Sequence, residues 1–181
     1  MRPQEKARLD EEALLNYALR SLGMHEMSIS ELRGKLEKRA ADEQAVPRVL
    51  SRLKQAGYLN DRRFADAFAA SRLANQGFGK ARVLSDLARR RVPGTLAHQA
   101  VDEVFQETDE SKLVEAFLTR RFRHTDLKAY LAEEKHLAGA YRRLRRAGFT
   151  AAVSIRVLKR YAERAGELES MEDGPAEPPE S

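Results

Sequence analysis

The amino-acid sequence predicts an all-α protein made of three tandem three-helix repeats, which together form an elongated, curved body. Apolar residues recur at helical spacing over most of the chain, as in the series Leu14, Ala18 and Leu22. No segment alternates apolar and polar residues over the length of a strand with turn glycines at both ends. A set of apolar positions also returns three times at a fixed spacing, which is typical of repeat proteins.

Helix ends are marked by capping residues and by glycine-containing breaks. Ser28 followed by Glu31 has the spacing of a capping box, which predicts that a helix begins there. Gly57 predicts the end of another helix, and Asn60 or Asp61 is placed to cap the next one. Further breaks divide the rest of the chain at residues 77–79, 92–95 and 148–150.

The repeat is defined by one aromatic position and by apolar positions that follow it. The aromatic position of the first helix is taken by Tyr17, Phe68 and Phe117. The second helix of each repeat carries a leucine: Leu36, Leu87 and Leu144. The residue 14 positions after each leucine lies in the third helix and is apolar, and the residue just before it is apolar too. These pairs are Leu50 and Val49, Val101 and Ala100, and Leu158 and Val157. The constant interval predicts three successive units.

These positions set the expected domain boundaries. Residues 1–10 form an N-terminal extension, 11–60 the first repeat and 61–108 the second. The third repeat covers 109–165 and has an insertion near 123–139, where residues 126–136 are expected to add a helical turn. Residues 166–181 are expected to form a disordered acidic tail, because they are rich in Glu, Pro and Ser and poor in apolar side chains.

Charge is divided unevenly along the chain, whose net charge is +5. The segment 166–181 contains six acidic residues and no basic one, so the rest has 33 basic residues against 22 acidic ones. A body this basic is attracted to polyanions or to acidic protein surfaces.

The residue types argue against an enzyme. The chain has no cysteine, and its four histidines fall in no zinc-binding arrangement, so neither a metal nor another cofactor is expected. Residues 77–80 lack the remaining glycines and the Ser or Thr of a phosphate-binding loop, and no nucleophile motif is present. No signal peptide and no membrane span is recognised, so we expect a cytoplasmic protein, as a monomer.

Basic residues concentrate in the second helix of each predicted repeat. The helix macrodipole favours a cation in the last turn by about 0.3 to 1 kcal/mol, which explains one or two per helix but not three or four. We therefore predict a surface that binds nucleic-acid phosphates or an acidic protein groove. Its residues are Arg33, Lys35, Lys38, Arg39, Lys80, Arg82, Arg89, Arg90, Arg91, Arg142, Arg143, Arg145 and Arg146.

Most aromatic side chains are expected in the core, because they lie at helical spacing. These are Tyr17, Phe64, Phe68, Phe105, Phe117 and Phe122. Tyr58, Phe78 and Phe149 stand next to glycines at helix ends. They are candidates for exposed contacts, and hydrophobic packing at a helix terminus explains them equally well.

Two segments carry a family resemblance. Residues 28–36 read SISELRGKL, and residues 53–65 read LKQAGYLNDRRFA. Both resemble the RecX family, which has an S-x-x-E-L-x-x-K-L helix and an L-K-x-x-G-Y-L-x-D-x-R-F-A junction. Residues 79–87 and 145–149 resemble later motifs of that family, and the resemblance extends from about Leu14 to Tyr161. Two places depart from the family pattern. An arginine commonly precedes the first serine helix in the family, and residues 24–27 of this chain contain none. Asn60 replaces an aspartate of the junction.

The resemblance implies a regulatory protein without activity of its own. It implies binding along the groove of the RecA–single-stranded-DNA filament, with lower strand exchange and ATP hydrolysis by RecA. The residues alone leave two alternatives open: a stand-alone nucleic-acid-binding protein, and a helical adaptor that binds acidic protein partners.

Overall fold

The computed structural model describes residues 8–171, with side chains as far as Leu168. Ten α-helices occur in this range: α1 (Glu11–Met24), α2 (Ile29–Glu37), α3 (Ala45–Gln55), α4 (Asp61–Ser71), α5 (Lys80–Arg89), α6 (Gly94–Phe105), α7 (Glu110–Arg121), α8 (Leu127–Leu131), α9 (Glu134–Arg146) and α10 (Ala151–Leu158). A π-helical turn, Arg72–Gln76, follows α4, and a 3-10 helix spans Glu163–Met171. The described residues contain no strand, only an isolated bridge between Leu9 and Ala40. The all-α prediction is confirmed.

The chain divides into two compact units. Among the described residues, the N-terminal unit comprises residues 8–70 and Leu84–Val104, and the C-terminal unit comprises Ser71–Val83 and residues 105–171. In the N-terminal unit α1, α2 and α3 pack against one another, and in the C-terminal unit α10 packs against α7, α9 and the 3-10 helix.

Helix starts and stops follow the capping residues of the sequence. The Ser28 hydroxyl accepts from the Glu31 N–H at 3.1 Å, and the Glu31 carboxylate accepts from the Ser28 N–H at 3.1 Å, so the predicted capping box is confirmed. The Asn60 side chain accepts from the Arg63 N–H at 3.0 Å and caps α4. Gly57 ends the preceding helix with a φ of 76°, in the left-handed region that favours glycine.

The positions that defined the repeat are buried as a set. The leucines of the second helices, Leu36, Leu87 and Leu144, are all 0% exposed. The apolar pairs that follow them in α3, α6 and α10 are also buried: Leu50, Val101 and Leu158, with Val49, Ala100 and Val157. The aromatic position is half-buried in all three cases. The helical-repeat fold is thereby confirmed, while the boundaries assigned to the individual repeats stay predictions.

The C-terminal part has the helical turn expected in the insertion and more order than expected after Gly166. The short helix α8 lies within residues 126–136, and its Leu131 is fully buried. The 3-10 helix includes the first residues of the segment expected to be a disordered tail from Gly166 onward. Ala165 and Leu168 join the hydrophobic core of the unit, which gives this segment a reason to fold. Residues 172–181 lie outside the described residues.

In the N-terminal unit, the start of α2 lies against the end of α5, and we name this contact the α2–α5 junction. The Ser28 hydroxyl donates to the backbone carbonyl of Arg90 at 2.5 Å. The Ile29 N–H donates to the Asp61 carboxylate at 2.8 Å. The junction thus satisfies groups at a helix start and a helix end that would otherwise lack partners.

In the C-terminal unit, the start of α5 lies against the end of α9, and we name this contact the α5–α9 junction. The Gly79 N–H donates to the Ala147 carbonyl at 2.8 Å, and the Ala81 N–H donates to the Gly148 carbonyl at 3.3 Å. The positive end of one helix dipole therefore meets the negative end of another.

The two junctions use equivalent repeat positions. Ser28 and Gly79 each stand eight residues before the buried leucine of their helix. Arg90 and Ala147, whose carbonyls accept, each stand three residues after theirs. Each unit therefore contains one copy of the same helix-end contact, which the repeat spacing explains.

We predict that the α5–α9 junction tolerates no side chain at its glycines. A Cβ at Gly79 would lie 2.3 Å from the Gly148 carbonyl oxygen, and a Cβ at Gly148 would lie 2.2 Å from the Arg82 nitrogen. Gly79→Ala should lower the free energy of unfolding in urea by about 1 to 3 kcal/mol. Gly148→Ala should cost more, because φ at Gly148 is also positive at 89°.

The matched control is Gly139→Ala in the middle of α9, where an added Cβ meets nothing within 4 Å. This change should be neutral or stabilising, by up to about 1 kcal/mol, because alanine favours helix. Equal urea midpoints for wild type and Gly79→Ala would show that the close approach is not needed.

Candidate functional site

The predicted binding residues are mostly at the surface. Ten of the thirteen are exposed: Arg33, Lys35, Lys38, Lys80, Arg89, Arg91, Arg142, Arg143, Arg145 and Arg146. The other three, Arg39, Arg82 and Arg90, are half-buried. One repeat position, two residues after the buried leucine, is basic and exposed in all three second helices, as Lys38, Arg89 and Arg146.

Arg39 and Arg90 are held by contacts inside the protein. They occupy the same repeat position, and each guanidinium lies over the aromatic ring of the first helix of its repeat. The Arg39 guanidinium is 5.0 Å from the centroid of the Tyr17 ring, and the Arg90 guanidinium is 5.6 Å from the centroid of the Phe68 ring. Such cation–π contacts stabilise a fold by about 0.5 to 2 kcal/mol. Both arginines therefore have a structural role, and the partner-binding role expected for them stays a prediction.

Arg90 also neutralises the α2–α5 junction. Its guanidinium donates to both carboxylate oxygens of Glu31, at 3.0 and 3.2 Å, while Glu31 completes the capping box. Nearby, Arg89 pairs with the buried carboxylate of Asp86 at 3.2 Å. The charges of this junction are thus paired within the protein.

The α5–α9 junction has the opposite character. The position of Glu31 in the repeat is taken by Arg82, and the position of Arg90 is taken by Ala147. Arg82 donates to the Arg146 carbonyl at 3.3 Å, and its guanidinium lies 5.1 Å from the centroid of the Phe78 ring. At the position where the N-terminal unit has an acidic residue, the C-terminal unit therefore has a basic residue that contacts the end of α9.

An open groove of about 390 Å³ lies beside this junction, and we name it the arginine groove. It is lined by Phe78, Arg82, Phe117, Arg121, Arg143, Arg146 and Ala147. Four of these seven residues carry a guanidinium, and no Asp or Glu is among the described residues that line it. The structure brings together three of the predicted binding residues here, Arg82, Arg143 and Arg146.

Arg121 was not among the predicted residues. It stands four residues after Phe117 in α7, so both lie on one helix face, and that spacing was available in the sequence. Neither Arg121 nor Arg143 makes a side-chain hydrogen bond or ion pair with another residue in the range 8–171. Their charges are available to a ligand.

The walls of the groove are held in place by neighbouring side chains. Phe117 packs edge-on against Phe149, with ring centroids 5.5 Å apart and an interplanar angle of 73°. Arg145 donates to the Phe149 carbonyl at 2.7 Å, which fixes the turn after α9. Arg120 donates to the backbone carbonyls of Asn75, at 3.0 Å, and of Gln76, and so braces the π-helical turn that leads to Phe78.

The aromatic residues divide between core and surface. Phe64 and Phe105 are buried as predicted, and Phe122 is half-buried. Tyr58 is 58% exposed, whereas Phe149 is 1% exposed, so packing at the helix end explains Phe149. Phe78 is half-buried and faces the arginine groove.

Arg62 lies in the segment 53–65 that resembles the family junction, and its charge is paired within the protein. Arg62 donates to Asp66 at 2.9 Å and to Glu103. These hydrogen bonds, of which the one to Glu103 has the larger effect, raise the pKa of the Arg62 guanidinium.

Residues 8–171 contain no cluster of three side chains that could hold a metal ion. Among the same residues, no helix combines the length and apolar character that crossing a membrane requires.

Comparison with known families identifies two segments of the chain. Residues 15–53 match the family model described as RecX, first three-helix domain, and residues 60–101 match that of the second three-helix domain. The first range covers most of helices α1, α2 and α3, and the second covers most of helices α4, α5 and α6.

Relatives and a solved structure extend the likeness. The regulatory protein RecX of Deinococcus radiodurans is 34% identical over 152 residues, which are 84% of this chain and 70% of the relative. That of Mycobacterium sp. strain KMS is 31% identical over 162 residues, 88% of this chain and 86% of the relative. The crystal structure of RecX from Lactobacillus salivarius has a TM-score of 0.62 at 17% identity, over 83% of this chain and 96% of that one.

We predict that Arg91 is kept at a cost to stability. It has a φ of 56°, and it is the one non-glycine residue in the range 8–171 with a positive φ. The equivalent position after α9 is Gly148. Arg91→Gly should therefore raise the free energy of unfolding by about 1 kcal/mol, measured in urea. Arg91→Ala is the control: it removes the guanidinium but keeps the Cβ, so it should give no gain. Equal stability of the two variants would contradict a cost at this backbone position.

Proposed function

The chain belongs to the RecX family, and we propose from this premise that it is a regulatory protein that binds RecA–single-stranded-DNA filaments. Binding lowers the recombinase and ATPase activities of RecA, and the protein acts by contact alone. The relatives that support this proposal carry the name regulatory protein RecX. The name of these relatives supports a regulatory role for this chain without specifying the partner.

The observation that carries the proposal is the repeated exposed cation. Lys38, Arg89 and Arg146 recur at one position of the second helices and reach solvent in each case. A filament of protein around DNA also presents phosphates and acidic faces at regular intervals. Binding that releases counterions from such a partner weakens steeply with salt.

Binding to a filament has a physical route to inhibition. A protein that lies across neighbouring protomers blocks the entry of duplex DNA or perturbs the interface where ATP is hydrolysed. One bound molecule then affects several protomers. A stand-alone nucleic-acid-binding protein, in contrast, would inhibit RecA only by covering the DNA. An adaptor for acidic proteins would affect neither the DNA nor the activity of RecA.

We predict inhibition at substoichiometric ratios. ATP hydrolysis by RecA on single-stranded DNA should fall when the protein is present at well below one molecule per RecA protomer. Inhibition only at concentrations that saturate the DNA would favour the stand-alone reading. No effect on hydrolysis or on strand exchange would rule out both and leave the adaptor.

We predict that exposed cations outside the arginine groove contribute to inhibition. Lys35, Lys38 and Arg91 are exposed, and changing all three to Gln should raise the half-inhibitory concentration about tenfold at low salt, because each lost contact reduces counterion release. The control changes Lys54, Lys112 and Lys128, which are exposed and outside the predicted set, to Gln. An equal effect in both variants would mean that net charge, and not this surface, governs inhibition.

A further inference from the structure

Two large hydrophobic side chains of the N-terminal unit are exposed, Met24 by 73% and Tyr58 by 58%, and no others of this kind occur among the described residues. Both stand at one groove between the end of α1 and the turn from α3 to α4, which we name the tyrosine groove. We propose that this groove docks a segment of a partner protein that carries a large apolar side chain next to a lysine or arginine. The inference rests on the proposed function in taking the protein protomers of the filament as the partner.

The tyrosine groove has an apolar lining and the size of a side-chain pocket. Leu19, Leu22, Met27 and Phe64 line it together with Tyr58. Its volume of about 290 Å³ lies just below the range of about 300 to 1,000 Å³ for pockets that enclose a small ligand. The groove therefore suits an inserted side chain, with the rest of the partner segment outside.

The repeat shows that the two exposed side chains are not required by the fold. The equivalent positions of the second and third repeats hold polar residues or glycine: Asn75 and His124 for Met24, and Asp109 and Gly166 for Tyr58. Helices form around those positions as well. Exposed apolar side chains that adjoin a groove mark an interaction site, and here they are confined to the first repeat.

The turn that carries Tyr58 is fixed by hydrogen bonds. The Tyr58 N–H donates to the Leu53 carbonyl at 2.9 Å, and the Arg63 guanidinium donates to the Gly57 carbonyl at 2.9 Å. Tyrosine is enriched among the residues that contribute most to protein–protein binding. A side chain on a fixed backbone also loses less conformational entropy on binding, so Tyr58 is prepared to contact a partner.

The charge on the α1 side of the groove determines which partner fits. α1 has no basic residue in its last turn, so the negative end of its dipole is not compensated there. Arg20, one turn before Met24, donates to the Asn16 carbonyl at 3.3 Å, toward the start of the helix. Glu26 lines the groove, is exposed, and makes no side-chain hydrogen bond or ion pair with another residue in the range 8–171. A lysine or arginine beside the inserted side chain complements this end of the groove.

The first test uses a phage-displayed library of random peptides of about twelve residues and the full chain, without RecA. Selected peptides should carry a large apolar residue within about four positions of a lysine or arginine. They should bind Met24→Asn with Tyr58→Ser at least about tenfold more weakly than wild type, because the exposed apolar contacts are lost. A library that yields no binder, acidic binders, or binders that do not distinguish the two proteins would contradict the proposal.

The matched control is Met24→Leu with Tyr58→Phe, which keeps the apolar surface and should bind the selected peptides like wild type. Both double variants should unfold at the urea midpoint of wild type, since the two side chains are exposed. Sedimentation of wild type and of Met24→Asn with Tyr58→Ser tests a second copy as the occupant. A dimer that only wild type forms would mean that another copy of this chain fills the groove, against the proposal.

A charge variant tests the cation of the partner segment without changing the apolar lining. Glu26→Lys should weaken the selected peptides about fivefold at low salt, and less at high salt, because exposed charges are screened. The control Glu43→Lys makes the same charge change at an exposed residue of the same unit whose side chain makes no hydrogen bond or ion pair within residues 8–171, and it should bind like wild type. Equal losses in both variants would show that net charge, and not the groove, attracts the peptides.

Inhibition of ATP hydrolysis by RecA on single-stranded DNA then tests the partner. Met24→Asn with Tyr58→Ser should raise the half-inhibitory concentration about tenfold. If wild type and this variant inhibit RecA equally, the filament proposal stands and the groove assignment is wrong. If wild type has no effect on RecA but selects peptides that depend on the groove, the docking assignment stands and the filament proposal is wrong.

Discussion

The rest of the structure depends on the contact between helix ends. Each α-helix leaves unpaired N–H groups at its start and unpaired carbonyls at its end, and burying them without partners costs free energy. Here the end of one second helix accepts hydrogen bonds from the start of another, through Ser28 and Arg90 in one unit and Gly79 and Ala147 in the other. The α5–α9 contact needs glycine at Gly79 and Gly148, since their backbones touch. The same contact places Arg82 beside the last turn of α9, so packing and the site have one origin.

Much of the fold could be predicted from the sequence because the signals are local. The capping box at Ser28, the stop at Gly57 and the buried leucines at one repeat position depend on spacing along the chain, which the sequence displays. The end of the ordered part could not be read in this way. Leu168 is a single apolar residue among acidic ones, and its burial depends on a core built by distant helices.

The site could be predicted only in part, for a related reason. Composition shows that cations gather in the second helices, but it does not show which of them meet partners inside the protein. Arg90 faces both a carboxylate and an aromatic ring, and these come from residues far away in the chain. Arg121 joins the groove from the last turn of a first helix, where it stands beside Arg120 and Arg123, whereas the prediction was confined to the second helices. Tertiary contact, and not residue type, separates structural arginines from those left for a ligand.

A repeat protein can change the chemistry of one junction without losing its fold, because in both junctions a backbone carbonyl at the end of one helix accepts a hydrogen bond from the start of the other. In the α2–α5 junction the Glu31–Arg90 pair adds a bond between side chains to this frame. In the α5–α9 junction the hydrogen bond from Gly79 to the Ala147 carbonyl is kept, and Ala147, at the position of Arg90, has no polar side-chain group to form such a pair. The buried core of the unit, which includes Leu144 and Phe149 beside the junction, holds the helix ends together without that pair.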